Sequence, residues 1–365
     1  MKPAVRFFVV TATLLLGVTC LLFAGGAAEE GSAAAQGNKS GARQEAAEQD
    51  TITVTDSKGV EVTITRPVGK IVSINSGLSE IVAALGCAER TVGRCSYSTF
   101  PSKMREVFVV AKNSSSPNLE RILQLEPDLV LADRMFDESS REMLNNRDIP
   151  VLIESTSNPD TLPDLVRKLG KVLGEEDRAE EVIRIASETI EDVHEAVEKA
   201  QQQREGLPVV FFENRKVYKS ASKKTGHHMF IELAGGDNIA KDEPVRSPEL
   251  SPEYIVQRDP DVIVRRVSGD AGPDALEKML KSIYNRPSLQ SVQAVENENV
   301  HIIKSDLFIS LRFPVGVAYY ASWFYPELLG TGAEDFDPSR IHRNYVTNLY
   351  GEEEWEKTNE TYVYP

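Results

Sequence analysis

The sequence predicts an α/β protein of two Rossmann-like lobes with parallel sheets, bridged by one long helix, with a ligand cleft between the lobes. Three observations predict it. Short apolar runs alternate with helix patterns on both sides of residue 200. Between the two sets, residues 177–203 hold neither Gly nor Pro. One short unit also occurs twice. "NLERILQLEPDLVLA" returns about 130 residues later as "SPEYIVQRDPDVIVR", aligned on Pro127-Asp128 and Pro260-Asp261.

The 365 residues suffice for two lobes of ordinary size. A hydrophobic share of 41% with 27% charged residues fits a globular chain. The net charge of −15 argues against nucleic acid as a partner. An anionic ligand would need a local basic pocket. The expected organisation is a signal peptide over 1–28, a disordered linker over 29–50 and a first lobe over 51–158. A spine helix over 159–205, a second lobe over 206–345 and an extension over 346–365 follow.

Lys2 and Arg6 precede an apolar run from Phe7 to Phe23, which reads as a secretory signal. Cleavage after Ala24 or Ala28 is one outcome. Cleavage at an acylated Cys20 is the other, and the Gly/Ala/Ser-rich stretch that follows would serve as a tether. Either way the protein is exported, to the periplasm or the outer face of the cytoplasmic membrane. In that compartment Cys87 and Cys95 are a candidate disulfide, or two small buried residues. No CxxC occurs, which argues against a thiolate metal site.

"ITVTDSKGVEVTI" alternates about Asp56–Gly59 and predicts a hairpin. "KIVSI" is a short buried strand, and "LSEIVAALG" a helix ended by Gly86. "TVGRC" is a strand, and Leu119–Leu125 a helix stopped by Pro127. "DLVLA" is a strand apolar throughout, as in a parallel sheet covered on both faces. "REMLNNRDIPVLIE" repeats helix then strand. Ala179, Val182, Ile183, Ala186, Ile190, Val193, Val197 and Ala200 recur at threes and fours. At 1.5 Å per residue that helix is roughly 40 Å long, enough to join two lobes. "PVVFF" opens a second α/β series. It continues through a helix in "HHMFIELAGG", the repeated helix and strand, a helix near Pro273–Tyr284, the strand "VHIIK" and the helix "PVGVAYYASWFYPELLG". A last helix packs on the first lobe, and the final dozen residues carry no assignment. Glu120 and Glu253 fall at the same offset of the repeated unit, near a helix start where the dipole favours an anion. As a pair they read as two exposed carboxylates, one per lobe, able to meet two basic sockets on a symmetric partner.

Taken together, "KIVSINSGLSEIVAALG", "VGRCSYSTFP", "NLERILQLEPDLVLA", "FIELAGGDNIA" and "SPEYIVQRDPDVIV" resemble the substrate-binding proteins of ABC importers for iron complexes and vitamin B12. The likeness runs from about residue 52 to 345. It implies a stiff two-lobed carrier, monomeric and without chemistry of its own. Its partners would be a permease dimer with ATPase subunits. Glu120 and Glu253 match the glutamates that dock onto permease arginines in this family. The family's ligand loops correspond here to Asn75, Ser76, Tyr97, Ser114, Asp133 and Arg134 in the first lobe. In the second they correspond to Tyr218, Arg246, Arg265, Arg266, Asp306, Phe308 and Arg312, and His228 is a further ligand-binding candidate on its own account. Tyr97 and Tyr218 keep aromatic positions of the vitamin B12 binders. Ser114 or a neighbour, Asp133 and Ser247 stand where those binders carry tryptophan, which speaks against cobalamin.

The arginines point to an anionic ligand, since forked guanidinium donors suit carboxylates, catecholates or propionates. The expected cargo is an anionic, siderophore-like iron chelate, with haem or cobalamin as alternatives and no intrinsic cofactor. His227 or His228 could reach an iron atom; a solvent-facing histidine at a helix start is the competing reading. No bare-metal cluster is apparent. An enzyme or a ligand sensor with the same two lobes are the rival classes. The sequence holds no GxSxG, P-loop, complete GxGxxG or HExxH.

Overall fold

The computed structural model describes residues 50–269, 271–330, 336–357 and 362–365. The expected signal peptide, Cys20 and nearly all of the linker lie outside the described residues. Two five-stranded sheets form the two lobes.

The first lobe starts with the expected hairpin, β1 (Thr51–Thr55) and β2 (Glu61–Thr65). It is pinned to the lobe by a buried ion pair, Asp56–Arg141 at 2.9 Å. The lobe's sheet holds β3 (Ile71–Ser73), β4 (Thr91–Cys95), β5 (Phe108–Ala111), β6 (Leu129–Ala132) and β7 (Val151–Ile153). They lie parallel in the order β5-β4-β3-β6-β7. Between them run α1 (Ser76–Ala84), α2 (Leu119–Leu125) and α3 (Glu138–Asn145). Asn75, Asn118 and Asp137 cap these helices with side-chain oxygens. Strand β5 is not expected from the sequence.

The spine is two helices, α4 (Leu162–Leu173) and α5 (Glu176–Gln201), because Gly174 takes a left-handed φ of 74° between them. Of the expected spine, α5 alone makes the crossing. Near its start Arg178 Nε donates to Ala84 O in the first lobe at 2.8 Å. Near its end Val197 and Gln201 lie against Gly235 in the second.

The second lobe comprises β8 (Val209–Asn214), α6 (Gly226–Leu233), β9 (Asp237–Asn238), α7 (Pro252–Arg258), β10 (Val262–Val267), α8 (Pro273–Tyr284), α9 (Gln293–Glu296) and β11 (Val300–Lys304). Helices α10 (Phe313–Phe324), α11 (Pro326–Leu329), α12 (Pro338–Tyr350) and α13 (Glu352–Lys357) follow, and β12 (Val363–Tyr364) closes the chain. The sheet order is β12-β11-β10-β8-β9, with only the β11–β12 pair antiparallel. The last residues, unassigned from sequence, thus add an edge strand. Just upstream, Glu354 accepts from Ser102 N and Oγ of the first lobe at 2.7 and 2.6 Å. The tail therefore touches both lobes.

One apolar core runs from Ile71 and Leu129 of the first sheet, through α5 and α10, to Val210 and Phe212 of the second. Close packing across the junction leaves little room for hinge motion. At Gly77 a Cβ would lie 2.4 Å from Thr156 Oγ1, 2.9 Å from Thr156 Cβ and 3.0 Å from Ile309 O of the second lobe. Gly77→Ala is therefore expected to lower unfolding stability by about 1–3 kcal/mol in urea denaturation. An unchanged midpoint would mean that the lobes yield at this seam.

The cysteines are a correction. Cys87 and Cys95 are both free thiols, and both are buried. Strand β4 separates them, so one lies before its start and the other at its carboxyl end. Cys87 belongs to the apolar core that includes α5, and Cys95 to a separate cluster of the first lobe around Val72 and Val130. Burial pushes the Cys87 thiol up to about 11.

Candidate functional site

Parallel sheets gather their loops at the carboxyl ends of the strands, and ligands of open α/β sheets bind there. Here both sheets turn those ends toward one cleft of about 740 Å³ between the lobes. Nearly every lining residue lies in the carboxyl end of a strand or in the loop that follows it; Met279 of α8 is the exception. A smaller hollow of about 350 Å³ on α5 and α12 lies away from all strand ends.

The first lobe supplies Asn75, Ser76, Tyr97 and Asp133 from the expected set, together with Cys95, Ser96, Thr99, Asn113 and Met135. Asn75 is fixed twice: its Oδ1 caps α1, and its Nδ2 donates to Asp133 Oδ2 at 2.8 Å. Met135 N donates to the other oxygen of Asp133. Tyr97 and Met135 are about half exposed and give this wall an apolar rim. Ser114 is fully buried behind the wall, donating to Ile74 O and accepting from Asp133 N. Arg134 turns out of the cleft to Ser57 O.

The second lobe supplies Arg265, Arg266 and Asp306 of the expected set, and Arg215, which sequence reasoning missed. Arg215 follows the end of β8 with a φ of 59°. Its carbonyl accepts from Arg265 Nη2, so the two residues are held side by side. Arg265 also meets the fully buried Glu213 at 2.7 Å. Glu213 is shared with Arg286, at 2.6 and 2.9 Å. Arg266 differs: its Nη1 donates to the neutral Asn214 Oδ1 at 2.9 Å, and its Nε is buried without a partner. Among the described residues no carboxylate lies within 4 Å of it. Burial and then the Arg215 charge pull Arg266 down to about 10.

Several expected ligand residues are engaged elsewhere. Tyr218 packs under the Arg286 guanidinium, with its hydroxyl 2.8 Å from Ser288 Oγ. His228 faces Glu232 at 3.2 Å. Phe308 is core, between Phe230 and Tyr320. Arg246 is exposed on the lobe's surface. Arg312 is buried in an ion pair with Glu80 of the first lobe, Nε to Oε1 at 3.1 Å. It joins the lobes instead of facing the cleft. His227 stacks on Phe212 with Nδ1 unpartnered. Burial, then Arg266 and Arg215, hold its pKa at about 3, so its ring is neutral. Among the described residues no group of three His, Cys, Asp or Glu could hold a metal ion.

The repeated unit is duplicated in atomic detail. Helices α2 and α7 are both seven residues long. Each is capped two residues before its glutamate, by Asn118 or Ser251, and each ends on a left-handed acid, Glu126 or Asp259. The Pro-Asp step anchors the neighbouring strand. Asp128 Oδ2 accepts from Gly69 N and Lys70 N, and Asp261 Oδ2 from Val209 N. Each aspartate thus fixes where that strand starts. Both helices begin at the carboxyl edge of their sheet, with Glu120 and Glu253 exposed there, one on each lobe.

A family model described as periplasmic binding protein matches residues 71–307, from β3 to the loop after β11. The chain belongs to the periplasmic binding protein family. It is the solute-binding component of an ABC importer, a carrier and not an enzyme. An uncharacterised ABC transporter substrate-binding lipoprotein of Bacillus subtilis is 24% identical over 301 residues, 80% of this chain and 92% of that protein. A vitamin B12-binding protein of Pectobacterium atrosepticum is 28% identical over 198 residues, 53% of this chain and 70% of that one. The crystal structure of a periplasmic heme binding protein from Pseudomonas aeruginosa superposes with a TM-score of 0.63 at 23% identity. That match covers 73% of this binding protein and 96% of the other.

Proposed function

We propose that this binding protein captures an anionic metal chelate of siderophore type in the interlobe cleft and hands it to a permease dimer that engages Glu120 and Glu253. The observation that carries the reading is Arg266. A desolvated guanidinium with no carboxylate within 4 Å among the described residues, beside Arg215 and Arg265 and with only the more distant Asp306 to offset it, is costly to assemble without an anionic ligand. The chain as a whole carries −15, so these cations are concentrated against its overall balance. A second reading is haem. Tyr97 and Met135 present an apolar wall across from the arginines, which suits a flat ring with a carboxylate edge.

Native mass spectrometry with metal analysis, on protein taken from its own host, tests the proposal. One metal chelate per chain is expected. Arg266→Met should then weaken binding of that chelate roughly tenfold to a hundredfold, the worth of a hydrogen bond to a charged group. A neutral, metal-free ligand, or affinity unmoved by the substitution, would sink the reading.

A further inference from the structure

We propose that the second lobe carries a basic, apolar-tipped surface that rests on anionic lipid headgroups and turns the cleft face toward the membrane. It is built from two loops at the carboxyl edge of the second sheet, residues 215–224 after β8 and 241–250 after β9. Backbone bonds knit them into one surface: Ser220 N to Pro248 O at 2.8 Å, Ser222 N to Arg246 O at 3.1 Å and Lys223 N to Lys241 O at 3.1 Å. Lys224 Nζ closes the far end on Pro244 O.

Setting aside Arg215, which lines the cleft, the two loops hold six Lys and Arg against three carboxylates, in a chain whose net charge is −15. Lys223 is neutralised by Asp242 and Lys241 by Asp237. Lys216, Lys219, Lys224 and Arg246 have no carboxylate within 4 Å among the described residues. Unpaired cations gathered on one face of an acidic protein create a local positive potential that attracts an anionic partner.

Two of the eight large apolar side chains exposed among the described residues lie among them, Val217 at 52% and Val245 at 55%. Cations interleaved with exposed apolar side chains are the signature of a surface that meets the headgroup layer. An acidic protein loop would match the charge but would leave the two valines unexplained. The surface is also continuous with Glu253: Leu250 N donates to Tyr218 O, and α7 begins two residues later. Lipid contact at the loops would therefore bring the docking edge down to the bilayer. The ligand's identity plays no part in this inference.

The test uses the full chain and a Lys216→Glu/Lys219→Glu/Lys224→Glu variant, sedimented with vesicles of phosphatidylcholine alone or mixed with phosphatidylglycerol. The N-terminal residues are common to both proteins, so their contribution cancels. The parent should partition onto the anionic vesicles at least ~tenfold more than the variant, from about one kcal/mol per cation near such a surface. The difference should vanish on neutral vesicles and shrink in high salt. Val217→Trp supplies a local reporter, whose indole emission should shift to the blue and be quenched by brominated lipid. Equal partitioning of parent and variant, or an indole emission unmoved by anionic vesicles, would overturn the proposal. So would a parent that ignores vesicles and binds only the solubilised permease, which would make the partner a protein.

Discussion

Glu120→Arg with Glu253→Arg is expected to reduce ligand uptake to background in cells while leaving affinity for the ligand unchanged. Both carboxylates are exposed at the carboxyl edges of their sheets, and neither makes an ion pair among the described residues. Neither is needed to hold its helix, because the capping oxygens belong to Asn118 and Ser251. Losing a favourable charge at a helix start costs about 0.3–1 kcal/mol per site. Unfolding therefore cannot imitate the expected phenotype, and circular dichroism of the variant checks that it does not. Reversal, unlike neutralisation, sets like charges against each other across the interface, which costs more than losing an attraction. Glu120→Gln with Glu253→Gln should accordingly retain part of the uptake, and should lose it steeply as ionic strength rises. If both glutamates served only the helix dipole, all four substitutions would leave uptake intact. A loss of ligand affinity with normal uptake would place them in the cleft's machinery instead.

Legibility followed locality. Helix α2 was readable to the residue, α7 as its repeat and α8 closely, because prolines and apolar spacing at or beside each helix mark it locally. The repeated unit also announced the second lobe, since in both copies the aspartate after the proline holds the start of the neighbouring strand. Strand β5 was not readable: it is four residues long, at the sheet edge, with Phe108 exposed. At the cleft, placing candidates just after strand ends recovered Asn75, Asp133, Arg266 and Asp306. The same rule, applied to "ENRK" after "PVVFF", would have found Arg215. The rule fails where a partner distant in sequence decides the side chain's direction. Arg312 looks like a ligand arginine until Glu80, 232 residues away, claims it. Tyr218 looks like a ligand aromatic until Arg286 and Ser288 claim it. Nothing local to either residue reveals that pairing.

The largest stability effect should come from the seam where Arg312 is held. Its guanidinium is 2% exposed and meets both oxygens of Glu80, which is 3% exposed, at 3.1 and 3.3 Å. The Phe100 ring of the first lobe lies 3.9 Å from it, and Tyr362 of the tail packs at 5.2 Å. Burial pushes the Glu80 carboxyl above its ordinary range while Arg312 pulls it back. Removing either partner leaves a desolvated group uncompensated, so Glu80→Gln or Arg312→Met should each cost about 3–5 kcal/mol in urea unfolding. The double variant should recover part of that loss, because no lone charge remains. His342, 3% exposed, adds a pH dependence to the same seam. Burial, and then the nearby Arg312 charge, depress its pKa to about 3. An unfolded histidine titrates near ~6.5, so between these values the unfolded chain binds the extra proton. Stability from this group is complete at neutral pH and is lost as pH falls below about 6.5, at roughly 1.4 kcal/mol per unit, or about 2 kcal/mol by pH 5. Glu80 works in the opposite sense, since its folded form holds a proton more tightly. The histidine contribution is therefore read from the difference between the parent and His342→Phe, whose ring keeps the packing and does not titrate. That variant should lose less stability than the parent between pH 6.5 and 5. Parallel acid profiles for the two would show that the imidazole is not the group that loosens this seam. Single substitutions at Glu80 or Arg312 costing under about 1 kcal/mol would show that apolar packing alone keeps the lobes together.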